Sequence, residues 1–197
     1  MWNERYAEKE YLFGTEPADF LRRAAPWLAP GQSVLCVADG EGRNSVWLAG
    51  QGMRVTAFDP AENAVAKARR LAAARGVAVE FHLCDLDGWD WSRSFDVVAG
   101  IFIQFVGPGE RPGLFARLDR ALVPGGLLLL HGYAPRQAGY GTGGPPQAGN
   151  MYTLDLLRES FAGYEVLRAA DFDAEVDEGK GHSGRSALID FVARKPG

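Results

Sequence analysis

SVLCVADGEGRNSVWLAGQGMRVTAFD, residues 33–59, is the stretch around which the rest of the chain is organised. The apolar run Val34-Leu35-Cys36-Val37 predicts a short buried strand. It empties into a turn containing Gly40 and Gly42, and Asn44 to Gly50 reads as a helix. A second strand, Met53 to Phe58, ends on Asp59. Glycines after a strand let the backbone turn tightly and bring N–H groups close to a ligand at a helix N-terminus. An acid about 20 residues further on, at the tip of the next strand, is placed to accept both hydroxyls of a ribose. Turn and acid together predict a nucleoside cofactor.

The 197 residues fit one domain with room for a sizeable core. A net charge of -4 and the absence of any Lys/Arg run argue against nucleic acid or an anionic membrane as partner. The start, MWNERYAEKEYLFG, has no apolar segment of the signal-peptide kind, and Leu127 to Leu130 is too short to span a bilayer. Cys36 and Cys84 fall in predicted strands, which points to buried free thiols and a reducing, cytoplasmic setting. His82, His131 and His182 are scattered singly, so no metal site is expected. The oligomeric state is not legible.

Residues 1–31 read as an N-terminal cap. Trp2, Tyr6, Tyr11 and Phe13 make it either an amphipathic cover or an aromatic lid hinged at Gly14, and Pro17 to Leu28 predicts a short helix packing Phe20, Leu21 and Trp27. Residues 33–133 read as the cofactor-binding core. Pro60 suits a first helical turn. Ala61, Ala64, Val65, Ala68, Leu71 and Ala72 share one helical face with Lys67, Arg69 and Arg70 outside it, and Gly76 closes the helix. Strands follow at Val77–Leu83, at Phe95 to about Phe102 and at Leu127–Tyr133. An amphipathic helix carrying Leu114, Phe115 and Leu118 lies before the last of these and ends at Pro124-Gly125-Gly126. Such alternation means βαβ units and a parallel sheet with helices on both faces. Residues 134–150, rich in Gly and Pro, read as a lid or binding loop. In 151–197, Thr153 caps a short helix, and two strands, about 164–176 and 185–194, close the fold as a hairpin.

VLCVADGEGRNSVWLA, VTAFD, FHLCDL, FDVVAGIF and LVPGGLLLL stand in order over residues 33–131 and resemble the motifs of class I S-adenosylmethionine-dependent methyltransferases. WNERYAEKEYLFGTEPADFL, the EGRN turn, TGGPP and EGKGHSG resemble a small-molecule branch related to tellurite-resistance and thiopurine methyltransferases. The resemblance implies one methyltransferase domain with a Rossmann-like seven-stranded, mostly parallel sheet and an antiparallel terminal hairpin. It implies S-adenosyl-L-methionine as cofactor, with Ala38, Gly40 and Gly42 lining its methionine and ribose portions, Arg43 pairing with its carboxylate, and Asp59, followed by Pro60, at the ribose. Asp85 and Leu86 would face adenine, and the backbone of Ile101 and Phe102 the methionine ammonium. Cys36 stands where the family usually has an acid, which Asp39 or Glu41 would replace. Ala38 stands for a glycine, a change that forbids only unusual backbone angles.

Methyl transfer from a sulfonium is an in-line displacement, served by alignment and exclusion of water. A thiolate acceptor needs no base, whereas a hydroxyl or protonated amine does. Residues suited to the acceptor side are Tyr11, Gln104, His131, Tyr133 and His182, the last on a polar, solvated turn. The preferred acceptor is a small molecule, with thiol or chalcogen ahead of oxygen or nitrogen. No Asn/Asp-Pro-Pro-Tyr/Phe motif occupies Gly100-Ile101-Phe102-Ile103-Gln104, which speaks against methylation of amino groups on bases or glutamine. Two alternatives stand beside this reading. One is a non-catalytic S-adenosylmethionine-binding sensor, motivated by Cys36 and the lack of an obvious base. The other is a nicotinamide oxidoreductase, motivated only by the glycine turn and Asp59.

Overall fold

A computed structural model describes residues 2–197. Seven strands form a sheet of order β3-β2-β1-β4-β5-β7-β6. The chain divides into two compact units: one runs to Asp90 and includes Glu178–Gly181, the other comprises Trp91–Asp177 and His182–Gly197.

In the first unit β1 (Ser33–Val37), β2 (Arg54–Asp59) and β3 (Val79–Leu83) are parallel, with Val37 opposite Phe58 and Asp59 opposite Leu83. β1 and β2 are buried along nearly their whole length, which is why they read as unbroken apolar runs rather than alternating ones. Two helices connect them in turn, α3 (Arg43–Gly50) and α4 (Glu62–Arg75). Gly76 caps α4 in the left-handed conformation that glycine adopts without strain. Before β1 lie α1 (Trp2–Arg5) and α2 (Asp19–Ala24). The helix expected over Pro17–Leu28 is shorter. α2 gives way to a tighter 3-10 turn, Ala25–Trp27, at Pro26, whose missing N–H cannot continue the ladder. Phe20 and Leu21 are buried as expected, while Trp27 is half-buried. Cys84 falls just beyond β3 and is only partly buried, unlike Cys36. Both thiols are free.

In the second unit β4 (Phe95–Ile101) and β5 (Leu122–Tyr133) are parallel, whereas β6 (Glu165–Asp177) and β7 (Ser183–Arg194) form an antiparallel hairpin with β7 against β5. The intervening helices are α5 (Arg111–Arg120) and α6 (Leu154–Ser160), the latter capped by Thr153, whose hydroxyl accepts the Leu156 N–H. Pro124-Gly125-Gly126 does not end a helix. α5 stops at Arg120, and the three residues lie within β5, where the register with β4 slips between Phe95 and Val97. Only glycine fits position 126, since a Cβ there would stand 2.9 Å from the Val123 carbonyl.

Residues 134–150 contain two 3-10 turns, Pro135–Gly139 and Ala148–Asn150. Gln137, fully buried, holds the segment. Its Oε1 accepts the Ala187 N–H at 2.7 Å, and its Nε2 donates to the Thr142 hydroxyl and the Gly143 carbonyl. Among the described residues no helix is long and apolar enough to cross a membrane.

Candidate functional site

The turn after β1 is built around Asp59. One carboxylate oxygen accepts the Gly40 N–H and the other the Ala61 N–H, each at 2.9 Å. Asp59 is buried, and burial pushes its carboxyl above the usual range against those two hydrogen bonds. A carboxylate has about four acceptor positions, so both oxygens keep a lone pair for further donors. Pro60 beside it is exposed.

The two turn glycines serve different neighbours. A Cβ on Gly42 would stand 2.6 Å from the Ala68 Cβ, so this glycine lets α4 pack against the turn. Gly40 instead faces Tyr6, whose hydroxyl would lie 3.1 Å from a Cβ at that position. Ala38 has φ +48°, so it occupies the left-handed region where glycine is unstrained. Replacing Ala38 by Gly is therefore expected to raise stability by about 0.5–1 kcal/mol, the strain relieved less the extra chain entropy of glycine. Urea unfolding tests this, and an unchanged or lower midpoint would show that no strain resides there.

Asp39, next in the turn, accepts a hydrogen bond from the Ser45 hydroxyl. Burial, assisted by the nearby Asp59 charge, pushes its carboxyl up to about 7. Glu41 is committed elsewhere. Its Oε1 pairs with Lys67 Nζ at 2.7 Å, and its Oε2 accepts the N–H groups of Leu12 and Phe13. Lys67 is thus not on the outer face of α4, as its charge suggested, but is buried, donating also to the Glu10 carbonyl. Of the two acids proposed to replace the missing one at Cys36, Glu41 is thus held in an ion pair with Lys67, whereas Asp39 is hydrogen-bonded to the Ser45 hydroxyl.

The N-terminal aromatics follow from this anchor. Tyr6 packs with Ala61, Ala64, Leu12 and Phe13, and its phenol is pushed up by burial and by the Asp59 and Glu41 charges. Trp2 stacks on Tyr6. The Asn3 side chain accepts the Asn63 N–H at the start of α4, which has no cap of its own. Tyr11 lies along α4, its hydroxyl donating to the Lys67 carbonyl and its ring packed on Val46, Leu71 and Ala72.

Arg43 opens α3 and is buried. Its Nη2 pairs with Glu178 at 2.8 Å, while Nη1 is buried without a hydrogen-bond partner. An unpaired buried N–H of this kind costs about 1–3 kcal/mol. At the end of β3, Asp85 is exposed, and its Oδ1 accepts the N–H groups of Asp87 and Gly88. Leu86 is half-buried beside it. Trp89 stacks on Phe58 with ring centroids 4.9 Å apart, forming an aromatic floor for this corner.

The second unit gathers its own polar cluster. Phe102 follows β4 with φ +57°, a left-handed backbone that a bulky residue adopts only under constraint. Its ring meets His182 at 4.1 Å, His131 at 4.8 Å and Tyr133 at 4.9 Å. Ile101 precedes it, half-buried, opposite His131. His182 is buried in this cluster rather than solvated on its turn. His131 Nδ1 lies 2.8 Å from Asp190 Oδ1, and Asp190 Oδ2 accepts from Arg168 Nε at 2.9 Å. A carboxylate only accepts, so the hydrogen between them sits on His131 Nδ1. Gln104 is drawn away from any acceptor. Its amide clamps the backbone of Tyr133, accepting that N–H and donating to that carbonyl. Among the described residues no cluster of His, Cys, Asp and Glu could hold a metal ion.

Residues 34–126 match a family model described as a methyltransferase domain. Ribosomal RNA small subunit methyltransferase C of Chromohalobacter salexigens is 41% identical over 106 residues, which is 51% of this chain and 31% of that protein. The chain spans about a third of the length of the curated relatives it matches, 31% and 32%. TehB from Haemophilus influenzae superposes with a TM-score of 0.73 at 19% identity, over 98% of this chain and 65% of that one. The N-methyltransferase NodS from Bradyrhizobium japonicum, in complex with S-adenosyl-L-homocysteine, gives 0.75 at 14% identity over 99% and 97%. The sequence of residues 34–126 is similar to methyltransferase domains, and the fold resembles that of the superposed methyltransferases.

Proposed function

We propose that this chain is an S-adenosyl-L-methionine-dependent methyltransferase acting on a small molecule, with a thiol or chalcogen acceptor ahead of oxygen or nitrogen, in the cytoplasm. The observation that carries the reading is Asp59. It is a buried carboxylate at the tip of β2, fixed by the Gly40 and Ala61 N–H groups and keeping acceptor positions for a ribose diol.

The residues present fit such a cofactor. Arg43 has a buried guanidinium nitrogen without a partner, suited to the amino-acid carboxylate. Asp39 is half-buried and reluctant to ionise, and a cation beside it would recover its charge. Ala38 and Gly40 bring backbone to the same turn. Gly42 lines the same approach with its backbone while its Cα packs against Ala68. The exposed Asp85, with Leu86, takes the adenine edge. When bound, S-adenosylmethionine supplies a sulfonium methyl group whose transfer discharges the sulfur.

The backbone of Ile101 and Phe102 serves the methionine ammonium; on the acceptor side, Tyr133 and His182 pack against the Phe102 ring, and His131, oriented by Asp190, takes the proton of an acceptor that carries one. A thiolate needs no such step. The relative that acts on ribosomal RNA raises a nucleic-acid acceptor as the competing possibility. The net charge of -4 and the lack of a Lys/Arg run favour a small acceptor without a nucleic-acid or membrane partner.

Calorimetric titration with S-adenosylhomocysteine should give saturable binding, and titration with NAD should give none. Product formation is then screened over small thiols, selenide, tellurite, small phenols and a ribosomal RNA fragment. Absence of saturable homocysteine-product binding ends the reading, and turnover of RNA alone would replace the small acceptor.

A further inference from the structure

The sequence EGKG at residues 178–181 has no part in the function described so far, yet each of its four residues has a specific contact in the first unit. Glu178 holds Arg43 Nη2 at 2.8 Å with both side chains largely buried, 7% and 12% exposed, and also accepts the Asp19 N–H. Gly179 has φ +75°, and a Cβ on it would stand 2.7 Å from the Leu12 carbonyl oxygen. Lys180 pairs with Glu10. Gly181 donates its N–H to the Leu12 carbonyl at 3.0 Å, and a Cβ on it would stand 2.1 Å from the Phe13 ring. The turn is therefore seated on residues 10–14 with no slack, and what it presents to the head of α3 is a single carboxylate.

We propose that Glu178 is a specificity-determining residue for the donor: it is the built-in counter-ion of Arg43, fixing the guanidinium through Nη2 so that Nη1 receives the ligand's amino-acid carboxylate, and setting how tightly that carboxylate is held. The inference rests on the donor reading above. Two independent features meet at one point: a helix N-terminus, which favours an anion, and a buried guanidinium nitrogen that no group among the described residues satisfies. With Glu178 ionised, the pair is already neutral, and an incoming carboxylate meets repulsion from Glu178 across the guanidinium. Removing that charge while keeping the hydrogen bond to Nη2 should tighten carboxylate-bearing ligands alone.

The experiment compares wild type with Glu178→Gln by calorimetry, using S-adenosylhomocysteine and its decarboxylated analogue, which has the same adenosine, thioether and amine. Wild type should prefer the carboxylate-bearing ligand by about tenfold or more. Glu178→Gln should bind it about threefold to tenfold more tightly still, leaving the analogue unchanged. Arg43→Gln should abolish the difference between the two ligands, with melting curves establishing that each variant is folded. Should Arg43→Gln not fold, the Glu178→Gln comparison decides alone. Equal shifts for both ligands, or none, overturn the proposal by showing that Glu178 only braces the turn. Wild type that binds both ligands equally also overturns it but leaves the donor reading intact. Wild type that binds neither removes both.

Discussion

Lys67→Ala will cost about 3–5 kcal/mol of folding free energy, as expected when one partner of a buried ion pair is deleted. Lys67 and Glu41 have side chains only 3% and 2% exposed, and their charged atoms are 2.7 Å apart. Without the ammonium, the Glu41 carboxylate stays buried among neutral groups while still engaged by the Leu12 and Phe13 N–H groups. The Glu10 carbonyl loses its donor as well. The damage should therefore fall first on residues 6–14, which ought to become sensitive to proteolysis at denaturant concentrations where the rest of the chain resists. The double change Glu41→Gln with Lys67→Met tests the cause. It removes both charges, keeps an acceptor oxygen at position 41 for the Leu12 and Phe13 N–H groups, and should recover more than half of the loss. Equilibrium urea unfolding measures all three variants. A penalty for Lys67→Ala below about 1 kcal/mol would mean that water screens the pair, in the manner of a surface salt bridge.

The same pair shows where sequence reading works and where it stops. β1 and β2 were legible because a strand buried on both faces leaves a continuous apolar run, and Gly76 was legible because a left-handed cap selects glycine. Lys67 was misread because helical periodicity assigns a face from polarity, and a lysine scores as outside unless its partner is known. That partner is 26 residues away on a turn. Distance along the chain hid the other site features in the same way. Arg43 and Glu178 are 135 residues apart, and His131 and Asp190 are 59 apart. Their meeting depends on strand register, which a one-residue slip would reverse. Gln104 looked available for an acceptor for the same reason, since nothing local shows that its amide is fully engaged by Tyr133. Ala38 is a different case. Its departure from glycine was visible, but the φ of +48° that makes the departure matter is a property of the folded turn.

Asp59→Ala is expected to weaken S-adenosylhomocysteine binding by about 1.5–3 kcal/mol, roughly tenfold to 150-fold, the range for losing hydrogen bonds to a charged group. The prediction must separate two roles of one side chain, because Asp59 also holds the Gly40 and Ala61 N–H groups and its loss will loosen the turn. A ligand that lacks the diol makes the separation. Wild type should bind 5′-methylthioadenosine more tightly than its 2′,3′-dideoxy counterpart, and in Asp59→Ala that preference should vanish even where both affinities fall. A looser turn alone would weaken the two ligands in proportion and preserve their ratio. Asp59→Asn gives an intermediate case: it keeps one acceptor oxygen and turns the other into a donor facing either an N–H or a ribose hydroxyl. Its melting temperature should stay nearer wild type than that of the alanine variant, with the diol preference still reduced. A ratio unchanged in both variants would falsify the placement of the ribose at Asp59 and leave this carboxylate as a brace for the glycine turn.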